Sequence, residues 1–301
     1  MSEVVALLLH FRNAVQTHAC VLSLLREGVD RLVVVDNSGD GGTSLAALKT
    51  MSGVASSPIF YMEPDQNLGF SRGINAGMAF ISSRWTGASV LVINNDAVLS
   101  EGSLEKLRGA VIGVLPVIAA PRIQGPYGVV SPKVFYRHLS ATLRSKSGSR
   151  FEHALLGGAC LMVHSSLCTA DFFDETFFFY GDDIELSHRM AARGVALVEV
   201  PGALLVHEGS ASSRMGSLFY EYHMARAHLL VTGRLGYRLP GRLGLLVCRV
   251  FTLAARAFFR SIRFGSMKPW KGLIMAWWDF LRGQTRALNP AQASTSKQGE
   301  S

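Results

Sequence analysis

The chain has 301 residues, 49% hydrophobic and 17% charged, enough apolar material for one large domain or one domain with an appendage, which excludes a disordered protein. Its four cysteines (Cys20, Cys160, Cys168 and Cys248) form no CxxC pair, which argues against a disulfide framework or a cysteine zinc site and fits a reducing compartment. The net charge of +8 is uneven: residues 1–213 carry 16 Lys+Arg against 19 Asp+Glu, and residues 214–301 carry 14 against 3, so only the second part seeks an anionic partner.

The N-terminus, "MSEVVALLLH", lacks a basic n-region and a small-residue cleavage site, so it reads as a buried strand over 4–9 rather than a secretory signal. Further strands are expected at 31–36, 59–63, 89–94 and 196–200, with helix-like stretches between them, such as 14–27 and 71–83. Continuous Val/Ile/Leu strands interleaved with helices predict an α/β fold with a mostly parallel sheet covered on both faces. Such sheets bind ligands at the carboxyl ends of their strands, which directs attention to His10-Phe11-Arg12, Asp36-Asn37 and Asn94-Asn95-Asp96.

Taken in order, "VVVDNSGDGG" ends a strand in Asp36, a carboxylate able to accept from a ribose hydroxyl or a base N–H, or equally to form an Asx-turn. "NLGFSRGINAG" spaces Gly69, Gly73 and Gly77 by four and includes Arg72. This pattern suits backbone approach to a diphosphate, or alternatively close helix–strand packing; it is neither GxGxxG nor a Walker loop. "VLVINNDAVLS" ends an apolar strand in three polar residues, of which Asp96 suits a hard divalent cation shared with substrate phosphates; a turn capped at Ser100 is the alternative. Residues 136–153 lack a strong period and are expected to form a mobile loop beside the site.

"FFFYGDDIELSHRMAARG" (177–194) runs four aromatics into Asp182 and Asp183 and then a helix, with Gly194 as its stop. Asp182 with Glu185 three residues on forms an expected capping box. Asp183, in the first helical turn, has its anion favoured by the helix dipole and is free to accept a proton. His207 follows another apolar run, a position that is structural unless the fold brings it to Asp96.

These stretches, with "GGACLMVHSSLCTADFFDETFFFYGDD" and "VPGALLVHEGS", occur in an order that resembles the inverting family 2 glycosyltransferases of GT-A fold, in particular their bacterial rhamnosyltransferase-like branch. The resemblance spans roughly residues 4–210. It implies a nucleotide-diphosphate sugar donor (dTDP-rhamnose, or a UDP-sugar), contacted by Phe11, Asp36, Asn67, Arg72 and Asn95. It also implies Mg²⁺ or Mn²⁺ on Asp96 and His207, Asp183 as catalytic base, and a saccharide or lipid-linked acceptor in cell-surface polysaccharide synthesis. Two departures stand out: the family's DxD is Asn94-Asn95-Asp96 here, and its ED-like pair is Asp182-Asp183.

From Arg242 onward, Arg242, Arg249, Arg256, Arg260 and Arg263 fall on one helical face, with Leu and Phe mainly on others. That pattern predicts an in-plane interfacial helix on an anionic membrane surface, on the cytoplasmic face, with Trp270, Trp277 and Trp278 at headgroup level. The alternative is a C-terminal helix packed on the catalytic domain with a solvated arginine face. No nucleic-acid motif accompanies the charge. The expected organisation is a catalytic domain over 1–213, a basic helical region over 214–288 and a disordered tail over 289–301. A catalytically silent sugar-nucleotide-binding or scaffold protein is the rival class, since one acid of DxD is missing.

Overall fold

Val4–His10 (β1), Arg31–Asp36 (β2), Ile59–Met62 (β3) and Ser89–Asn94 (β4) lie parallel in the order β3-β2-β1-β4. This is the arrangement in a computed structural model, which describes residues 3–51, 54, 59–126, 128–207 and 215–284. β1 is buried along its whole length because both its faces are covered: Val5, Leu7 and Leu9 enter one core layer, Val4, Ala6 and Leu8 the other. The first layer is closed by Phe70–Arg84 (α3), the second by Ala14–Arg26 (α1). In α3 a Cβ on Gly77 would lie 2.3 Å from Leu7, and one on Gly73 2.9 Å from Leu9. Two of the three spaced glycines therefore allow close helix–strand packing, the second of the two roles expected for them.

Beyond β4 the sheet becomes mixed, with one parallel pairing among antiparallel ones. Cys160–Val163 (β11) pairs with β4, then come Val117–Gly125 (β6), Ala196–His207 (β12) and Ala97–Leu99 (β5), with Gly128–Val130 (β7) on β6. The strand expected at 196–200 continues to His207 across an irregularity between Val200 and Leu204, where Pro201 and Gly202 stand. That extension delivers His207 to the sheet's ligand edge. Thr43–Lys49 (α2) and Ser103–Ala110 (α4) complete the helices of the N-terminal half.

Residues 136–153 are not the expected loop. Lys133–Arg137 (β8), Thr142–Arg144 (β9) and Glu152–Leu156 (β10) form a second, antiparallel sheet ordered β10-β8-β9. The inward face of β8 and β10 is apolar: Tyr136 and Leu155 are buried with Phe177, Ile184, Val231, Leu235 and Leu245. The exposed residues of β9 and its flanking turns conceal that alternation in the sequence.

Asp182–Ala192 (α5) precedes β12, and Leu218–Arg234 (α6), Leu239–Phe264 (α7) and Lys268–Leu281 (α8) follow it. α6 is buried on most sides. α8 crosses it at Gly272, where a Cβ would meet the backbone N of Tyr222 at 2.7 Å. α7 starts with Pro240 in its first turn and stops at Gly265, left-handed at φ 56°.

The middle of the arginine face of α7 points inward, contrary to both readings of the sequence, while Arg242 and Arg263 at its ends are exposed. Arg249 is fully buried and donates to Thr232 Oγ1 and to the carbonyls of Leu139 and His138. Arg256 and Arg260 both bind Glu221, a buried carboxylate on α6. Fixed acceptors replace water for these guanidiniums, and the apolar side is left outside: Leu243, Val247, Val250, Phe251, Phe258, Phe259 and Ile262 are each at least half exposed. Residues 289–301 lie outside the described residues.

Candidate active site

Where β1, β2 and β4 end, their last residues are brought level: His10 pairs with Asp36, and Leu9 with Asn94. His10 is buried; its Nδ1 lies 2.8 Å from Thr17 Oγ1 and its Nε2 3.1 Å from Ser44 Oγ. Thr17 spends its one proton on the Asn13 carbonyl and accepts from Asn95 Nδ2 at 3.0 Å, so the network makes His10 Nδ1 a donor. Burial holds His10 below its usual titration range, in keeping with a neutral ring. A chain of hydrogen bonds thus links β1 to the polar end of β4 and positions Asn95.

Next to it opens a cleft of about 470 Å³, lined by Phe11, Arg12, Asn13, Ala14, Val15, Gln16, Asn95 and Asp96. Arg12 is left-handed at φ 57°, with its N–H on Ser38 Oγ and its Nε on the Ser38 carbonyl. Such a conformation in a non-glycine residue is retained where its surroundings hold it, commonly at ligand sites. Asp36 is buried and its Oδ1 accepts from Ser38 N at 3.0 Å, which is the Asx-turn of the two roles expected for it. Asn67 Oδ1 accepts from Gly69 N, and its backbone N abuts Gly39 of the same turn. Asp36, Asn67 and Arg72 do not line the cleft; Arg72, on the first turn of α3, pairs with Glu175 at 3.4 Å, both largely exposed.

Asp96 and His207 meet. The antiparallel pairing of β5 and β12 sets His207 opposite Ala97, and His207 Nε2 donates to Asp96 Oδ1 at 3.1 Å across 111 residues of chain. Both side chains are mostly buried. The stretch after His207 lies outside the described residues.

Asp183 stands on the first turn of α5 with its Cβ against Gly158, and it accepts from the backbone N–H groups of Ile184 and Gly158. Gly158 lies two residues before β11, and between them the Ala159 carbonyl accepts from Asn94 N at 2.9 Å. The base of α5 and the end of β4 thus share β11 as a neighbour. The expected capping box is absent: Gly181 is the N-cap, with no side-chain bond, and Asp182 is the first helical residue, buried. The helix dipole is also outweighed. Burial pushes both carboxyls above the ordinary carboxylate range. Asp182 is pushed further, by the neighbouring Asp183 and Glu185 charges. Asp182 therefore takes up a proton first, and Asp183, held by two N–H groups, keeps its charge.

The aromatic run fixes this geometry. Phe177 enters the core beside Ile184; Phe178 packs on Gly69 and stacks on His223; Tyr180 touches Tyr220 edge-on. Tyr180 and Gly181 are both left-handed, at φ 63° and 84°.

The model of "Glycosyl transferase family 2" matches residues 11–161, half of the chain. The chain belongs to that family. Phe11, Asp36, Asn67, Arg72 and Asn94–Asp96 fall inside the matched span, whereas Asp183 and His207 lie beyond it. Among curated proteins, the chain is 26% identical over 233 residues to the N-acetylglucosaminyl-diphospho-decaprenol L-rhamnosyltransferase of Mycobacterium tuberculosis, covering 64% of this chain and 71% of that protein. Among solved structures it resembles GalNAc-T7 with UDP, GalNAc and Mn²⁺ (TM-score 0.57, 10% identity, 77% of this chain). It also resembles the mannosyltransferase PcManGT of Pyrobaculum calidifontis with GDP-Man and Mn²⁺ (TM-score 0.52, 14% identity, 98% of this chain and 79% of that one). This glycosyltransferase spans 48% of the length of GalNAc-T7. Its fold is the GT-A fold of those neighbours.

Thr17, Asn13 and Gly158 also build the site, though none is among the residues expected there from the sequence. Asn13 is legible as a helix cap, since its Oδ1 accepts from Gln16 N. Thr17 belongs to no motif and Gly158 stands in the "GGAC" stretch with no role of its own assigned, and the importance of both comes from residues distant in the chain.

Proposed function

We propose that this glycosyltransferase moves L-rhamnose from a nucleoside-diphosphate donor, dTDP-rhamnose, to a hydroxyl of a lipid-linked saccharide, inverting the anomeric carbon. The Asp96–His207 contact beside the cleft is the observation that carries this reading. One carboxylate and one imidazole, on separate strands and next to Asn95, suit a divalent ion that takes its remaining ligands from diphosphate oxygens and water. They are the residues to hold Mg²⁺ or Mn²⁺, which when bound offsets the charge growing on the departing diphosphate. Phe11 and Asn95, which line the cleft, are the proposed nucleotide contacts, with Asp36, Asn67 and Arg72 outside its lining. The family, the relative's rhamnosyl chemistry and the nucleotide sugars of the structural neighbours support this donor class.

Asp183 is the proposed base: it takes the proton of the acceptor hydroxyl as that oxygen attacks opposite the diphosphate. Its upward-shifted pKa brings it nearer the operating pH, where a general base is most effective. Asp183→Asn is expected to keep donor affinity and lower transfer by about 10²–10⁴-fold. Transfer at a near-normal rate in that variant overturns the assignment.

The lipid-linked acceptor is supported by the relative's printed substrate and by α7 and α8. No described helix is long and apolar enough to cross a membrane. Yet no charged residue is exposed on α7 between Leu243 and Ile262, a stripe about 28 Å long at 1.5 Å per residue. Arg242, Arg263, Lys268, Lys271 and Arg282 rim it, with Trp278 exposed among them. A cationic rim around an apolar stripe suits the surface of an anionic bilayer. On this reading residues 1–213 carry the chemistry and 214–288 seat it on the cytoplasmic face of the membrane.

A further inference from the structure

Three histidines converge outside the cleft. His138 follows β8, His153 lies on β10 and His188 on α5, and one nitrogen of each comes within 4.8 Å of the other two. The ring centroids are 4.9 to 6.0 Å apart.

The other nitrogen of each ring already has a partner. His138 Nδ1 meets the Tyr237 hydroxyl at 2.7 Å, His153 Nε2 donates to the Ile184 carbonyl at 3.1 Å, and His188 donates to the carbonyl of Leu235. Metal-bound imidazoles show this arrangement: one nitrogen on the ion, the other tethered to a carbonyl or hydroxyl that sets the tautomer and the ring plane. A structural hydrogen-bond chain accounts for part of it, since His138 Nε2 also lies 2.9 Å from His153 Nδ1. It does not account for His188, whose ring is turned edge-on to His138 and brings a third nitrogen to the same point.

We propose that His138, His153 and His188 form a zinc site that ties the helix carrying Asp183 to the small sheet and to the turn between α6 and α7. Three imidazole nitrogens with no carboxylate favour zinc over Mg²⁺, Mn²⁺ or Ca²⁺, which prefer oxygen. Ligand nitrogens in tetrahedral zinc sites at 2.0–2.1 Å stand about 3.3 Å apart, so ring rotations on the order of 1 Å close the set and leave a fourth position for water. Burial keeps all three rings below their usual titration range and so able to bind at neutral pH. Two other charges act on His138: Arg249, which donates to its carbonyl, and Glu152 on β10, which offsets it. His153 holds the carbonyl next to Asp183, so the ion acts on the base through α5 as a positioning element and touches no substrate.

The test uses the full chain carrying Asp96→Asn and His207→Ala, which silences the other candidate metal site, stripped of metal and titrated calorimetrically with zinc chloride. One zinc per chain is expected. Affinity should fall at least 100-fold in His188→Ala and about tenfold in Tyr237→Phe, and zinc should raise the thermal midpoint of the parent but not of His188→Ala. No zinc binding by the parent, or equal affinity in His188→Ala, overturns the proposal. If His188→Ala does not fold, zinc-edge X-ray absorption of the parent decides: three imidazole nitrogens support the site, and an oxygen-dominated shell overturns it.

Discussion

Asp182 and Asp183 are adjacent in the chain and differ in what surrounds them. Asp183 reaches the N–H groups of Ile184 and Gly158, which favour its charged form; Asp182 is buried beside two other carboxylates. A carboxyl whose pKa is raised by folding stabilises the protein while protonated, and that contribution is lost as pH rises from the ordinary carboxylate range through the raised value. Asp182→Asn should therefore flatten the fall in thermal midpoint between about pH 5 and 9, measured by scanning calorimetry. An unchanged pH profile would show that burying this group costs nothing. The acidic limb of the transfer rate should likewise sit above the pH expected of an ordinary carboxylate, because Asp183 must be ionised to act, and it should disappear in Asp183→Asn.

Gly181 joins the aromatic run to α5. At φ 84° with a prospective Cβ 2.8 Å from Ala227, it has no room for a side chain and no easy backbone alternative. Gly181→Ala should cost about 1–3 kcal/mol in denaturant unfolding and lower kcat more than donor affinity, since it shifts Asp183 and leaves the cleft alone. Between α6 and α7 the join is ionic. Glu221 is buried, and its two oxygens satisfy Arg256 and Arg260, so Glu221→Gln strips both guanidiniums of the carboxylate they share. The expected loss is about 3 kcal/mol, read as a shift in the urea midpoint. A change within error would mean that α7 is held by its apolar contacts, among them Leu253 and Ala257, alone.

The whole molecule has a polar cleft at the sheet's edge and an apolar stripe on its C-terminal helices. Because Arg249, Arg256 and Arg260 are engaged inside and only the rim is free, membrane binding should depend on the stripe more than on salt-sensitive attraction. Phe251→Ser with Phe259→Ser removes roughly 1.5–3 kcal/mol of transfer energy per side chain. Co-sedimentation with phosphatidylglycerol-containing vesicles should fall by more than tenfold, while soluble-acceptor transfer is retained. Wild-type binding abolished by high salt would restore an electrostatic mode. Failure to bind anionic vesicles at all would remove the membrane reading.

Local pattern sufficed for the parallel half of the sheet, because β1, β2 and β4 are buried on both faces and therefore spell continuous apolar runs. It sufficed as well for α5 and its stop at Gly194. The small sheet escaped notice because its exposed strand and turns carry serine, glycine and basic residues, while the positions that pack, Tyr136 and Leu155, are few and far apart. The helical period of α7 revealed its arginine stripe but not which way it turns: charge seeks water unless fixed acceptors replace it, and those come from Glu221, Thr232 and the backbone of residues 138 and 139. For the same reason no local pattern joined Asp96 to His207, which the family resemblance alone had paired. Their meeting depends on the register of two strands more than a hundred residues apart, and register is set by packing, which composition and spacing do not contain.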